Sequence, residues 1–218
     1  MNTEINEKEA KVLQSKLAKK VIKKGELKNI KLIAGTDVAY SKNKGKLIAV
    51  VIVLDAETLE RVEEVVIEDQ ERFPYIPGLF SFREMPSLIK AFEQLKSKPD
   101  LVVIDGQGIA HPRRFGLASH FGVHFDIPTI GCGKTRFIGD FEMPGEKRGR
   151  FSNLIDGGEI IGHVLRTQDE IKPVFVSIGH KVSLDFARET VLKLCSKYRL
   201  PETTRHADEL ANKVLKGY

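Results

Sequence analysis

The stretch Leu101-Val102-Val103-Ile104-Asp105 decides how this sequence folds, because four consecutive apolar residues run directly into an aspartate. A short uninterrupted apolar run is typical of a strand that is covered on both faces of a sheet. The run therefore predicts a central strand that carries the Asp105 carboxylate at its C-terminal end.

Three strand-like runs precede this stretch, at Lys31–Tyr40, Lys46–Leu54 and Arg61–Glu68. The connections between them are short, beginning with the turn-rich Ser41–Gly45, and short connections favour an antiparallel meander. A helix is then expected to begin near Pro86, because proline suits the first helical turn.

Helices and strands alternate after the central run. We expect a helix near Gly116–Phe125, a strand near Pro128–Cys132, a hairpin-like stretch up to Thr167, a strand at Val174–Ile178, and helices at Ser183–Tyr198 and Thr203–Lys216. The order predicts an α/β fold with a mixed central sheet, in which a three-strand antiparallel meander joins parallel strands and helices flank both.

An amphipathic helix is predicted at the N-terminus, over about 6–24, with Asn6 and Glu9 as a capping pair. The first 31 residues hold nine lysines and four glutamates, which accounts for the whole net charge of +5. The rest of the chain is formally neutral, so a nucleic-acid surface there must be a local patch. The lysines of the helix have two interpretations, a solvated face or phosphate contacts.

The chain has 218 residues, 41% of them hydrophobic, which is enough to build one core, and we expect a single domain over 1–218. No apolar run approaches the roughly 18 residues that span a bilayer, and the charged N-terminus does not resemble a secretory signal. Cys132 and Cys195 have neither CxxC nor zinc spacing. They predict free thiols in a reducing cytoplasm, and no membrane contact is expected.

Three common catalytic motifs are excluded. A P-loop would need glycine where Pro128 precedes Gly133-Lys134-Thr135. A zinc-protease helix would need glutamate in place of Phe121, and a dinucleotide fingerprint would need glycine in place of His111.

Two aspartates lie where apolar surroundings cannot balance an ionised carboxylate. Asp37 interrupts the first strand, and Asp105 ends the central one. A divalent cation compensates two carboxylates at once, and Mg²⁺ binds carboxylates together with water and phosphate oxygens. For Asp105 alone, an equally simple interpretation is that it caps the turn after its strand.

The order of the acidic residues matches ribonuclease H-like nucleases. A strand with Asp37 is followed by two more strands, a helix with Glu84 at its start, the strand ending in Asp105, and a C-terminal helix with Asp208. In that fold the first and fourth strands are neighbours, so Asp37 and Asp105 are expected to meet.

Several segments also resemble the endonuclease V family. They are IAGTDV at 33–38, PYIPGLFSFRE at 74–84, DGQGIAHPRR at 105–114, SIGH at 177–180, YRLPE at 198–202 and the TR…D of 204–208. The resemblance runs from about Ile33 to about Asp208, and the two longest strings are too unusual to arise by chance.

This resemblance implies a Mg²⁺-dependent endonuclease, with Mn²⁺ as a substitute, that acts on DNA containing deaminated bases, chiefly deoxyinosine. Cleavage is expected at the second phosphodiester 3′ to the lesion, leaving 3′-hydroxyl and 5′-phosphate ends. A monomer is expected. Three alternatives stay open: an endoribonuclease for inosine-containing RNA, another ribonuclease H-like nuclease, and a non-catalytic lesion-binding module.

The resemblance also assigns roles to individual positions. The catalytic and metal-binding carboxylates are Asp37, Glu84, Asp105 and Asp208, and Lys134 corresponds to a lysine near the reacting phosphate. Tyr75, stiffened by its prolines, corresponds to the tip of a wedge that enters the duplex and is formed by Pro74, Tyr75, Ile76 and Pro77.

A lesion pocket and a phosphate patch are predicted nearby. Glycines let backbone groups approach a flipped base, and the expected pocket comprises Gly78, Gly106, Gln107, Gly108, His111, Gly116, Leu117 and Gly131. The expected phosphate contacts are Arg113, Arg114, Lys134 and His180. For His111 and His180, ordering a water or bonding to the backbone are equally open.

Overall fold

The computed structural model describes residues 5–41 and 45–217. Its elements are α1 (Glu7–Ala18), β1 (Leu32–Tyr40), β2 (Lys46–Asp55), β3 (Arg61–Gln70), α2 (Phe80–Glu93), β4 (Leu101–Ile104), α3 (Leu117–Phe125), β5 (Thr129–Gly133), β6 (Phe151–Asp156), β7 (Glu159–Leu165), β8 (Val174–His180), α4 (Leu184–Leu194) and α5 (Glu202–Lys216). Of the predicted turn at Ser41–Gly45, residues 42–44 lie outside the described residues.

The strands form one mixed sheet in the order β3-β2-β1-β4-β5-β8-β7-β6. The β1–β2 and β2–β3 pairs are antiparallel, as predicted for a meander, whereas β1–β4 and β4–β5 are parallel. The β1–β4 register pairs Ile33 with Leu101 and ends with Thr36 opposite Ile104. Asp37 and Asp105 directly follow Thr36 and Ile104, the last residue pair of β1 and β4. The prediction that the first and fourth strands are adjacent is confirmed.

Helices cover both faces of the sheet. One core layer lies between the sheet and α4 and α5, and includes Val191 and Ala207. The other lies under α2 and α3 and includes Leu88 and Phe121. The central strand β4 is buried along its whole length, which explains its uninterrupted apolar sequence.

The N-terminal helix is shorter than predicted. The capping box of Asn6 and Glu9 is present, but α1 ends at Ala18 rather than near Lys24. The following segment leaves the helix to hydrogen-bond elsewhere, because Ile22 N–H donates to His180 Nδ1 and the Ile22 carbonyl accepts from Lys181 N–H. Tertiary hydrogen bonds of this kind cannot be seen in local helix periodicity.

The start of α2 also differs from the prediction. The helix begins at Phe80, and Pro86 lies inside it rather than at its first turn. Burial of Phe82, Glu84 and Met85 on the inner face of this extra turn and a half holds the helix together ahead of the proline. Glu84 consequently projects from the helix body towards the sheet instead of standing at its first residue.

One close approach positions α5. A Cβ on Gly35 of β1 would lie 2.3 Å from the backbone carbon of Thr203, which is closer than real contacts allow. Glycine at this position therefore lets the first turn of α5 rest directly on β1. That contact sets where Asp208, in the next turns of α5, meets the sheet.

No helix within residues 5–41 and 45–217 combines the length and the apolar character that crossing a membrane requires.

Candidate active site

An acidic cavity of about 470 Å³ opens where β1, β4 and β5 end. Its lining includes all five residues that were predicted to be catalytic: Asp37, Glu84, Asp105, Lys134 and Asp208. These residues come from one strand, two helices and the loops that follow β4 and β5, so only the folded chain brings them together.

Asp37 and Asp105 interact directly at the centre of this cavity. Burial, together with the charge of Asp105, raises the pKa of Asp37 to about 7. Burial also raises the pKa of Asp105, although Lys134 and a hydrogen bond with Asp37 oppose the shift. Two partly desolvated carboxyl groups in contact cannot both ionise without compensation, so this pair favours either a proton or a cation between its oxygens.

Glu84 is 5% exposed and accepts a hydrogen bond from the Tyr40 hydroxyl, whose oxygen lies 2.9 Å from Oε1. Burial raises the pKa of Glu84 well above its ordinary value, and the Tyr40 hydrogen bond only partly offsets this. The Arg83 guanidinium lies 4.5 Å from the centre of the Tyr40 ring and fixes its position. Tyr40 was not predicted as a site residue, because nothing in the spacing of a strand-end tyrosine points to a helix far along the chain.

Lys134 places its ammonium between two of the carboxylates. Its Nζ lies 2.6 Å from Asp105 Oδ2 and 3.4 Å from Asp208 Oδ1. Burial disfavours the charged form of Lys134, but Asp105 outweighs this effect and raises the pKa of the ammonium. The Lys134 carbonyl accepts a hydrogen bond of 2.5 Å from Arg199 Nη2, a contact that sequence reasoning missed.

The donor set fits a divalent cation. Within residues 5–41 and 45–217, no three Asp, Glu, His or Cys side chains already converge as a finished metal site. The reason is visible, since the Lys134 ammonium lies against Asp105 and Asp208 while Glu84 bonds to Tyr40. The carboxylate oxygens of Asp37, Glu84, Asp105 and Asp208 are the hard ligands that Mg²⁺ and Mn²⁺ prefer. Burial, which raises the pKa of the first three, leaves their ionised forms in need of a compensating charge.

A second, more apolar cavity of about 390 Å³ adjoins the acidic one. The two cavities share Phe80, Gly106, Gln107 and Thr135 as lining residues. Its volume lies in the range of roughly 300–1,000 Å³ that is common for small-ligand pockets. Six residues predicted for the lesion pocket line it: Gly78, Gly106, Gln107, His111, Gly116 and Leu117.

The two other glycines predicted for this pocket do not line it. A Cβ on Gly108 would lie 1.9 Å from the Ile178 carbonyl oxygen, and one on Gly131 would lie 2.5 Å from Gly108 N. Both glycines therefore let the loop after β4 pack against β8 and β5 behind the cavity. Their role in the structure is close packing rather than contact with a bound group.

Gln107 has an unused acceptor at the junction of the two cavities. Its Nε2 donates to the Thr135 carbonyl at 3.0 Å, whereas its buried Oε1 has no hydrogen-bond partner within residues 5–41 and 45–217. A buried acceptor without a partner costs free energy, so the site offers a place for a ligand N–H.

The predicted wedge projects beside the apolar cavity. Tyr75 is 65% exposed, with its ring edge-on to Phe80 at 6.3 Å. Pro74 and Pro77 are exposed as well, but Ile76 turns inward and packs against a small cluster that includes α1. The exposed tip is thus Tyr75 held between prolines, and Ile76 anchors it.

All four predicted phosphate contacts bond to other groups of the protein, and the partners of Lys134 are Asp105 and Asp208. Arg113 donates to Gln14 Oε1 and the Gly78 carbonyl, and Arg114 pairs with Asp156 and Glu159. His180 is 3% exposed and accepts the Ile22 N–H. The hydrogen-bonding groups of Arg114 and His180 face internal partners in this structure. Of the predicted patch, Lys134 lines the acidic cavity.

Residues that sequence reasoning missed include Gln14, Phe80, Ser81 and Phe137, all of which line the apolar cavity. Ser81 lies within the PYIPGLFSFRE string, so its position carried a signal. Gln14 had none, since it is one polar residue of an amphipathic helix far from the motifs.

The mixed sheet, with carboxylates at the ends of adjacent parallel strands and a lysine beside them, defines a nuclease of the ribonuclease H-like fold class. Within that class, residues 15–209 match the family model for endonuclease V, and the chain belongs to this family. It is therefore a nuclease that hydrolyses phosphodiester bonds.

Individual relatives agree with this assignment. The chain is 48% identical to endonuclease V of Dictyoglomus thermophilum over 203 residues, which cover 93% of this chain and 88% of that protein. Its structure is similar to endonuclease V of Streptomyces avermitilis, with a TM-score of 0.92, 46% identity, and coverage of 97% of this chain and 94% of that one.

A more distant solved relative was captured with nucleic acid. Endonuclease V of Ciona intestinalis is 27% identical, with a TM-score of 0.87 and coverage of 98% of this chain and 99% of that one. That protein is in complex with a DNA that contains an inosine followed by a ribo-adenosine.

Proposed function

We propose that this protein nicks DNA at deaminated bases, chiefly deoxyinosine, in a Mg²⁺-dependent repair reaction for which Mn²⁺ substitutes. The cut falls at the second phosphodiester 3′ to the lesion and leaves 3′-hydroxyl and 5′-phosphate ends. One observation carries the proposal: the apolar cavity and the acidic cavity share four lining residues, so a base held in the first leaves its own strand next to the carboxylates of the second. We further propose that it works as a cytoplasmic monomer, consistent with its two buried free cysteines.

Recognition of hypoxanthine follows from the chemistry of the apolar cavity. Hypoxanthine pairs poorly, so the free energy needed to extrude it from the duplex is lower than the few kcal/mol needed to extrude a normally paired base. Gln107 Oε1 provides an acceptor for the N1–H of the base, and the glycine backbone around it admits a planar ring. Tyr75 is exposed enough to fill the space that the base vacates.

Catalysis is assigned to the five residues of the acidic cavity. Asp37 and Asp105 would hold the divalent cation, with Glu84 and Asp208 completing or orienting its ligands. The bound cation supplies charge neutralisation at the phosphate and a lowered pKa for an attacking water. Lys134, whose ammonium lies beside Asp105 and Asp208, would balance negative charge on the scissile phosphate. Tyr40 keeps Glu84 in one orientation through its hydroxyl hydrogen bond.

Inosine-containing RNA is a second candidate substrate. The Ciona relative was crystallised on a strand whose inosine precedes a ribonucleotide, which favours tolerance of a 2′-hydroxyl at that position in that protein. A non-catalytic lesion-binding module is disfavoured, because four carboxylates would repel a phosphate backbone unless a cation joined them.

A strand-nicking assay tests the proposed function. A labelled duplex with one deoxyinosine is incubated with protein and Mg²⁺, and the product is mapped to one nucleotide beside an undamaged duplex and a matched inosine RNA. We expect one cut, one phosphodiester beyond the linkage next to the lesion, and none in EDTA. Asp105→Ala should abolish the cut and retain binding of the lesion duplex. Cutting that ignores inosine, or an Asp105→Ala protein that cuts at the normal rate with Mg²⁺, would reject the proposal.

A further inference from the structure

The N-terminal helix α1 lies outside the sheet, yet one of its side chains is completely buried beside the apolar cavity. Gln14 has no exposed surface and lines that cavity, whereas its neighbours Ser15 and Lys16 are exposed. A fully buried glutamine on the packed side of a largely exposed helix has to satisfy its amide internally.

The Gln14 amide satisfies this demand with three contacts. Its Nε2 donates to the Gly78 carbonyl at 3.0 Å and to the Phe115 carbonyl at 2.9 Å. Its Oε1 accepts from Arg113 Nε at 2.5 Å. Both amide hydrogens are used, and they join two segments that are not connected by any strand pairing.

Those two segments are the wedge and a wall of the cavity. Gly78 directly follows the wedge and has a left-handed backbone at φ +81°, and Phe115 immediately precedes the lining residues Gly116 and Leu117. The Gly78 carbonyl also accepts from Arg113 Nη2 at 2.7 Å and lies 3.0 Å from His111 Nε2. His111 Nδ1 accepts the Arg113 N–H, so in a neutral ring Nε2 carries the proton and donates to Gly78.

Apolar contacts hold α1 against the same wedge. Ala10 forms a buried cluster with Phe73, Leu79 and Phe82, against which Leu13 and Ile76 also pack. Ile76 belongs to the wedge, and Leu79 lies two residues after its last proline, Pro77. The helix therefore packs against the wedge through apolar contacts, and Gln14 links the residue after the wedge to the cavity wall by hydrogen bonds.

We infer that Gln14 is a positioning residue that fixes the wedge relative to the lesion pocket. The residues that open the duplex and the residues that hold the base then keep a fixed relative position. This inference rests on the proposed function, because it assigns Gln14 a part in the same recognition step. The role concerns double-stranded substrate above all, since a single strand needs no wedge to free its base.

Three substitutions of Gln14 separate the contacts. Gln14→Glu keeps the side-chain size and the acceptor for Arg113 but has no donor for the two carbonyls. Gln14→Leu removes every polar contact, and Gln14→Asn keeps an amide that is one methylene too short to reach both carbonyls. Ser15→Ala, on the exposed side of the same helix, is the matched control.

The measurement is KM and kcat for nicking of one deoxyinosine strand, presented as a duplex and as a single strand, below the thermal unfolding midpoint of each variant. We expect the duplex KM of Gln14→Glu and Gln14→Leu to rise about tenfold, the scale of one or two buried hydrogen bonds. The kcat of both variants should stay within about twofold of wild type, and their single-strand KM should rise clearly less than their duplex KM, since only the duplex substrate needs the wedge. Gln14→Asn should lie between, and Ser15→Ala should match wild type.

The outcomes distinguish the two proposals. A wild-type protein that does not nick at inosine overturns the proposed function. A wild type that nicks, with folded Gln14 variants that retain the wild-type duplex KM, overturns the inference about Gln14, as does an equal loss of kcat on both substrates. If Gln14→Leu does not fold, Gln14→Glu and Gln14→Asn decide by the same criterion.

Discussion

Two glycines of the loop after β4 have very different surroundings. A Cβ on Gly106 would make ordinary contacts with Leu117, at 3.6 Å and 3.7 Å, next to both cavities, whereas a Cβ on Gly108 would collide with the Ile178 carbonyl. The sequence motif presents both as equivalent pocket glycines. In the structure, a side chain at Gly106 would reduce the space for a bound base, whereas a side chain at Gly108 would prevent the loop from packing against β8.

We therefore expect Gly106→Ala and Gly108→Ala to fail in different ways. Gly106→Ala should keep a thermal midpoint within about 2 °C of wild type, because its methyl group meets only van der Waals contacts. It should lower the nicking rate at deoxyinosine about tenfold or more by crowding the base. Gly108→Ala should lower the midpoint by several degrees, since overpacking costs about 1–3 kcal/mol. Thermal unfolding and nicking of the two variants side by side check this, and equal midpoints would contradict it.

Tyr75 provides a second test at this scale. Its side chain is largely exposed, so Tyr75→Ala should leave the thermal midpoint nearly unchanged while reducing nicking of duplex deoxyinosine about tenfold, through loss of an aromatic group worth about 1–3 kcal/mol on a base. Tyr75→Phe should stay within about twofold of wild type, because the ring and not the hydroxyl fills the stack. The nicking rates of both variants are measured on the same deoxyinosine duplex. A Tyr75→Ala protein that nicks at the wild-type rate would contradict the wedge role of Tyr75.

At the level of elements, the sequence allowed prediction of the strands and of their order better than of the helix limits. Strand β4 was predictable to the residue, because an apolar run followed by aspartate has one simple interpretation. The end of α1 and the start of α2 were not, since they depend on hydrogen bonds from Ile22 to His180 and on burial of Glu84. These are long-range interactions that leave no periodic trace in the local sequence.

The contact between α5 and β1 gives an element-scale prediction. Gly35→Ala should push the first turn of α5 off the sheet, because the added Cβ would lie 2.7 Å from the Thr203 Cβ and closer still to its backbone. We expect a lower thermal midpoint and, in the protein that stays folded, nicking reduced at least about tenfold through displacement of Asp208. Gly145→Ala is the control, because its new Cβ would lie no closer than 3.4 Å to the Arg150 side chain and this exposed glycine has no left-handed backbone.

Over the whole molecule, the site brings together residues from nearly the full length of the chain, and sequence reasoning found the part that motifs encode. The four carboxylates and Lys134 lie in motifs or at strand ends, and their convergence followed from the predicted neighbourhood of β1 and β4. Tyr40, Arg199 and Gln14 were missed, because each acts through a hydrogen bond to a residue far away in the sequence. The acidic cluster that results is a source of instability which a cation would relieve.

The pH dependence of stability measures this cost. The pKa of Asp37 is about 7 in the folded protein and near 3.8 in an unfolded chain, so the proton is bound more tightly by the folded state. The resulting stabilisation is complete below about pH 3.8 and is lost as the pH rises through about 7. In EDTA, we expect the thermal midpoint of wild type to fall relative to that of Asp37→Asn between pH 4 and pH 8, because asparagine carries no proton to lose. A constant difference between the two midpoints would contradict the raised pKa.

The central claim is that Asp37 and Asp105 hold one divalent cation between them. Anomalous diffraction from a crystal soaked in Mn²⁺ tests it directly, with an Asp37→Asn crystal as the control. We expect a manganese peak within coordination distance, about 2.0–2.2 Å, of oxygens from both aspartates, with the Lys134 ammonium moved away from Asp105 and no comparable peak in the variant. Wild-type crystals with no manganese at this pair, or with the metal bound elsewhere and the Lys134–Asp105 contact intact, would contradict the account.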